Sequence, residues 1–119
     1  MVTPIERDEL AARIADGTIV VLDAQAPGWY EREHLPGALG IPYDEIDSTV
    51  ARAVPDKDIE IAVYCWNETC LGSAVVAERL CELGYTQIRR YVGGKQDWSD
   101  AGLPLDAISA CATAKRRLP

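Results

Sequence analysis

The sequence predicts an α/β fold, a small and mainly parallel sheet with helices on both faces, on three observations. Strand-like segments stand at 18–22, a continuous β-branched and aliphatic run, at 59–64, an apolar run interrupted by Glu60, and at 87–92. A continuous run such as 18–22 suits a strand buried on both faces, not one with a wet face. Helical spacing of apolar residues stands between them, most clearly over 71–83. Strand and helix therefore alternate, and parallel neighbours need such crossover connections.

Taken in order, Thr3-Pro4-Ile5-Glu6 reads as a capping box with proline at the first helical position. The helix runs to about Asp16, with Ile5, Leu10 and Ile14 toward the core, and Gly17 stops it. Residues 18–22 form the first strand, followed by Asp23-Ala24-Gln25 at its C-terminal end. Residues 25–33 are polar and mixed, with Trp29 and Tyr30 placed to anchor a short helix. His34-Leu35-Pro36-Gly37-Ala38 is a turn, and Leu39-Gly40-Ile41-Pro42 a short strand whose pairing Pro42 limits. Residues 43–53 read as one or two short helices, and Pro55-Asp56-Lys57-Asp58 as a loop. After the strand at 59–64, residues 71–83 carry a wide apolar arc, so this helix is expected to pack on more than one side. Gly84 caps it; 87–92 is a strand, Gly93-Gly94 a sharp turn, and 95–101 a short helix bearing Trp98. Residues 105–118 form a terminal helix through Ile108, Cys111 and Ala112.

The length suits a single domain over 1–119, with its core at about 18–105, an N-terminal helix in 1–17 and a tail or helix in 106–119. A net charge of −7 argues against nucleic acid as a partner, since non-specific binding rests on Lys and Arg neutralising phosphates. Lys115-Arg116-Arg117 is too short a basic run to reverse this. No apolar run approaches the roughly 20 residues that span a bilayer, and the first residues lack a charged-then-apolar leader pattern. A cytoplasmic location away from membranes is the expectation, and there cysteines stay reduced unless redox chemistry is their role. Cys65, Cys70, Cys81 and Cys111 lack the paired spacings of a zinc site, so no metal is expected.

Chemistry points to Tyr64-Cys65-Trp66-Asn67-Glu68-Thr69-Cys70, a loop between a strand and a helix. Loop amides and the free N–H groups of a helix start carry partial positive charge, which stabilises a sulfur anion and lowers a thiol pKa. In parallel sheets reactive sites lie beyond the C-terminal strand ends, where Cys65 falls. Cys65 is therefore the candidate nucleophile.

Four segments, in order and correctly spaced, make residues 20–105 similar to the rhodanese-like domain family. They are Leu22-Asp23 with His34-Leu35-Pro36-Gly37-Ala38 and Ile41-Pro42; Val63-Tyr64-Cys65; residues 73–84 with Ala74, Ala77 and Leu80; and Val92-Gly93-Gly94, Trp98, Gly102 and Pro104. The resemblance implies a sulfurtransferase without metal or organic cofactor. Cys65 would take sulfane sulfur from a small-molecule or protein donor, hold it as a persulfide and pass it to a thiol acceptor. Backbone N–H groups of Trp66, Asn67, Glu68, Thr69 and Cys70 would cradle the persulfide. Related phosphatases of this fold have a loop one residue longer that ends in Arg; this loop lacks that phosphate clamp.

The chain departs from the family in ways that bear on substrate. The loop has no Lys or Arg and contains Glu68, so thiosulfate is expected to be a poor donor. Glu33 replaces the family's Gly before His, and Gln25 an Arg often found after the Asp. Cys70 stands where Arg is frequent and is a candidate resolving thiol. Asp23 is expected to support the loop as an acceptor, and His34 to make a structural hydrogen bond. Trp29, Tyr30 and Trp98 read as core or rim anchors, Trp66 as a shield or a packing residue, Cys81 as core and Cys111 as incidental. Two other readings stand beside the enzyme: a non-catalytic rhodanese-like interaction module, and a thiol-disulfide redox or sensing protein using Cys65 and Cys70.

Overall fold

The computed structural model describes residues 2–25, 27–41, 45–67 and 69–106. The expected terminal helix, Cys111, the basic run at 115–117, Pro42, Tyr43 and Glu68 lie outside these. The order is β1 (Val2–Pro4), α1 (Arg7–Asp16), β2 (Val20–Asp23), α2 (Pro27–Arg32), β3 (Leu39–Gly40), α3 (Ile46–Ala53), β4 (Glu60–Tyr64), α4 (Gly72–Glu82), β5 (Gln87–Tyr91) and α5 (Gly94–Asp100). The five strands form one sheet in the order β1-β5-β4-β2-β3, and every pairing is parallel.

Each central strand splits its side chains between two cores, as its twofold periodicity requires. Leu22, Ile61, Val63 and Ile88 pack with Ile46, Val50, Val76, Ala77 and Leu80 from α3 and α4. Val21, Ala62, Tyr64 and Tyr91 pack on the other face with Leu10 of α1, Leu35 and Trp98 of α5. Both faces are thus covered, which explains why β2 and most of β4 read as apolar runs. Among the described residues no helix is long and apolar enough to cross a membrane.

The amino terminus departs from its expectation. Val2, Thr3 and Pro4 are not a helix start but a strand in register with Ile88, Arg89 and Arg90. The open edge of β5 offers unpaired backbone groups, and satisfying them outweighs a local cap. Pro4 is tolerated because it lies in an edge strand, and its carbonyl accepts from the Arg89 guanidinium at 2.8 Å. The helix begins at Arg7, and Glu6 at its N-cap makes no side-chain capping bond. Its far end matches expectation: Gly17 is left-handed at φ 69°, and its N–H reaches the Ile14 carbonyl. Ile5 and Leu10 are buried as expected, and Ile14 packs at the core's margin.

Helix α4 packs on the sheet and against α3, more than one side as its wide apolar arc predicts. Val76, Ala77 and Leu80 are buried, while Val75 and Leu71 stay exposed. A charged cluster ties α1 to the sheet: Glu60 meets Arg13 at 2.5 Å and Arg89 at 2.8 Å.

Candidate active site

The sheet order places β2 and β4 side by side while their following strands lie to opposite sides. That is the topological switch point, where a crevice opens beyond the carboxyl ends of the strands. Asp23 pairs in register with Tyr64, so the residues that follow them, Ala24 and Cys65, share the crevice rim. A cavity of about 420 Å³ opens there, lined by Ala24, Gln25, Trp29, Cys65, Trp66, Cys70 and Gly72.

Cys65 is 4% exposed. The loop's first two residues are docked on the start of α5: the Lys95 N–H donates to the Cys65 carbonyl at 3.0 Å and the Gln96 N–H to the Trp66 carbonyl at 2.8 Å. Gly94 permits this approach. It sits at φ 68°, and a Cβ built on it would lie 2.5 Å from the Cys65 carbonyl oxygen.

Asn67 organises the rest of the loop. Its Oδ1 accepts from the Thr69 N–H at 3.0 Å and the Thr69 hydroxyl at 2.7 Å, and its carbonyl accepts from the Cys70 N–H at 3.1 Å. The resulting turn brings Cys70 back to Cys65 with Cα atoms 6.2 Å apart, and the two sulfurs are joined in a disulfide. In this form the Thr69 and Cys70 amides, two of the expected cradle donors, are directed at Asn67 rather than at sulfur. Gly72 opens space beside the pair; a Cβ there would lie 3.4 Å from the Cys65 sulfur and 3.7 Å from that of Cys70. Arg90 borders Cys70, donating through Nε to Ser73 Oγ at 2.9 Å and through NH2 to the Cys70 carbonyl at 3.4 Å.

Asp23 is fully buried below the crevice. Its carboxylate accepts from the Gln25 N–H at 2.7 Å, the Gln25 Nε2–H at 2.8 Å and the Tyr64 hydroxyl at 2.5 Å. The Tyr64 oxygen in turn accepts from the Leu35 N–H at 2.9 Å. Burial raises the Asp23 pKa above the ordinary aspartate value, against the lowering effect of these donors. Burial and the adjoining carboxylate raise that of Tyr64. Holding Nε2 on Asp23 fixes the Gln25 amide, and its Oε1 is buried with no hydrogen-bond partner among the described residues. Gln25 lines the cavity, with its Oε1 buried away from the opening.

Two indoles wall the opening. Trp29 and Trp66 meet edge to face with centroids 5.3 Å apart, and both are exposed. The loop itself lacks Lys and Arg, but the fold brings cations to its flank. Lys95 Nζ lies 4.4 Å from the Trp66 ring centroid and the Arg32 guanidinium 5.2 Å from that of Trp29. Glu33 faces Lys95 at 3.9 Å. Burial lowers the Lys95 pKa, while Glu33 and Asp23 oppose that shift.

His34 lies outside the cavity lining. Its Nδ1 bonds the Tyr30 carbonyl at 2.8 Å, its ring stacks on Tyr30, and its backbone pairs with Asp106. Trp98 is in the core, and its Nε1–H donates to the Pro104 carbonyl at 2.8 Å. Sequence reasoning singled out Gln25 as a departure bearing on substrate and Trp29 as a core or rim anchor, and the fold brings both to the cavity; it missed Lys95, which no local signal marked.

Comparison with known proteins agrees with this geometry. A family model described as the rhodanese-like domain matches residues 6–101. The chain is 40% identical over 76 residues to thiosulfate sulfurtransferase PspE of Escherichia coli, covering 64% of this chain and 70% of that one. A solved rhodanese with anions from E. coli superposes with a TM-score of 0.63 at 34% identity, over 75% of this chain and 98% of that one. The BH2092 protein of Bacillus halodurans shares the fold at a TM-score of 0.82 and 23% identity, over 92% and 80% of the two chains. By sequence, by fold and by the placement of its loop cysteine, this chain belongs to the rhodanese-like domain family.

Proposed function

We propose that this protein is a sulfurtransferase that moves sulfane sulfur from a donor to a thiol acceptor through a persulfide on Cys65. The observation that carries the reading is Cys65 itself, at the end of β4 on the rim of a cavity at the switch point. Similarity to PspE, named as a thiosulfate sulfurtransferase, supports the same class of reaction. A thiolate at this position would attack the outer sulfur of the donor, take it as Cys65–S–S⁻ and expel the donor's remainder as the leaving group.

Thiosulfate is a poor donor in this proposal. Around Cys65 the cavity presents Ala24, Trp29, Trp66 and Gly72, none of which carries a positive charge. A dianion would shed its hydration there without gaining an ion pair from these groups. The flanking Lys95 ammonium is partly neutralised by Glu33. An organic persulfide with an apolar body fits these walls better.

The test is reaction of the reduced protein with a panel of sulfur donors, read by intact mass. Gain of one sulfur atom on Cys65, absent in Cys65→Ser, is the expected result. A chain that takes up no sulfur from any donor would act as a docking module, and the sulfurtransferase reading would fall. Thiosulfate kcat/KM equal to that of organic persulfides would overturn the donor preference alone. The disulfide favours a second reading, thiol-disulfide redox, which expects reversible loss of two thiols under mild oxidant with no sulfur uptake.

A further inference from the structure

We propose that Cys70 resolves the Cys65 persulfide, so that sulfur leaves as hydrosulfide and the chain ends each turnover as the Cys65–Cys70 disulfide. The inference rests on the sulfur-transfer reading above and adds its product and its reductant.

The Cys70 thiolate attacks Cys65 Sγ, the inner sulfur of Cys65–S–SH. An Sγ–Sγ bond forms, the S–S bond to the outer sulfur breaks, and that sulfur departs with the bonding electron pair as HS⁻. The proton of the Cys70 thiol goes to water. No outside oxidant enters, because the sulfane sulfur is reduced to sulfide as the two thiols are oxidised.

Four features support attack at the inner sulfur with departure of the outer one. The backbone already holds the two cysteines with Cα atoms 6.2 Å apart, within the ordinary range for a direct bond. Asn67 pins the intervening turn through three hydrogen bonds, so Cys70 is presented in place. The Arg90 guanidinium beside the Cys70 carbonyl favours negative charge near that thiol. Gly72 and the cavity leave room for the departing atom.

The disulfide must then be reduced. Cys65 is buried, whereas Cys70 is only half-buried. An incoming thiol therefore meets the Cys70 sulfur first, forms a mixed disulfide there and releases Cys65 as the thiolate that accepts the next sulfur. A second thiol on the same reductant completes the exchange. The reaction that must follow in sequence is reduction by a dithiol, and the exposed Trp29 and Trp66 offer it an aromatic rim, 47% and 36% exposed.

Reduced, desalted full-length chain is mixed anaerobically with one equivalent of glutathione hydropersulfide, then read by intact mass, peptide mapping and bimane capture of sulfide. The wild type is expected to lose two hydrogens and release one sulfide per chain. Cys70→Ser is expected to retain one added sulfur on Cys65 and release sulfide about 100-fold more slowly, since an intramolecular thiol has a high effective concentration. Wild type that keeps its persulfide on Cys65, carries the extra sulfur on Cys70, or forms the disulfide without sulfide overturns this inference alone. Absence of both sulfur uptake and sulfide release in either chain overturns it together with the Cys65 reading. The wild-type sulfide count decides the matter even should the variant fold poorly.

Discussion

Replacing Tyr64 by Phe removes one oxygen and breaks two buried interactions at once. The hydroxyl is the donor to Asp23 Oδ2 and the acceptor for the Leu35 N–H. Both Tyr64 and Leu35 are fully buried, so water cannot replace the lost partner without entering the core. An orphaned amide costs about 1–3 kcal/mol, and a hydrogen bond to a charged group contributes about 1.5–3 kcal/mol. The ring stays and packing changes little, so the expected loss is about 3–5 kcal/mol. Against a total of roughly 5–15 kcal/mol for a domain, that is a large share. Urea unfolding in excess dithiothreitol keeps the Cys65–Cys70 pair reduced in both proteins. At an m-value near 2 kcal/mol/M the midpoint falls by about 2 M with m unchanged. The loss should also shrink at acid pH. The Tyr64 donor lowers the Asp23 pKa, so removing it raises that pKa further, and the penalty for the ionised form disappears once Asp23 is protonated. A loss below about 1 kcal/mol, or one equal at pH 4 and pH 7, would refute the claim that this hydroxyl serves Asp23 and Leu35 together.

Further outcomes follow from the same geometry. Gly94→Ala places a Cβ against the Cys65 carbonyl at a residue with φ 68°; a destabilisation of about 1–3 kcal/mol and slowed Cys65 alkylation are expected, and unchanged values for both would refute the close approach. The folded-state pKa of Asp23 is raised, so its stability contribution is fully present below the unfolded value near 3.8 and declines as pH rises through the folded value. The stability of wild type relative to Asp23→Asn should accordingly fall as pH increases above 4, and a rising or flat difference would contradict the burial argument. Trp66→Ala removes the edge-to-face partner of Trp29, a contact of about 0.5–1.5 kcal/mol, and is expected to raise KM for an organic persulfide about two- to tenfold with kcat retained. An unchanged KM would separate the indole pair from substrate binding.

What was legible in the sequence and what was not divides along contact range. The strand-like segments became β2, β4 and β5, Gly17 ended α1, and Trp98 went to the core, since these follow from the chain's own periodicity and turn chemistry. The paired glycines after β5 were read as a turn, but not as the seat for the Cys65 carbonyl, because the partner lies on another strand's loop. Thr3-Pro4-Ile5-Glu6 satisfied a helix-start pattern and yet entered the sheet, because an edge of β5 needed pairing. Lys95 and Glu33 likewise gave no local sign that they would meet beside Trp66.

The sequence by itself determined the alternation of strand and helix and the position of Cys65 just beyond a buried strand. Hydrophobic period and backbone stereochemistry act over a few residues, so they can be read from the linear chain. Only the tertiary structure decided which groups surround that sulfur. Parallel crossovers carried Gln25 and Trp29 from the end of β2, and Lys95 from the start of α5, to one crevice. Their juxtaposition depends on sheet order, a property of the whole packed molecule rather than of any one segment.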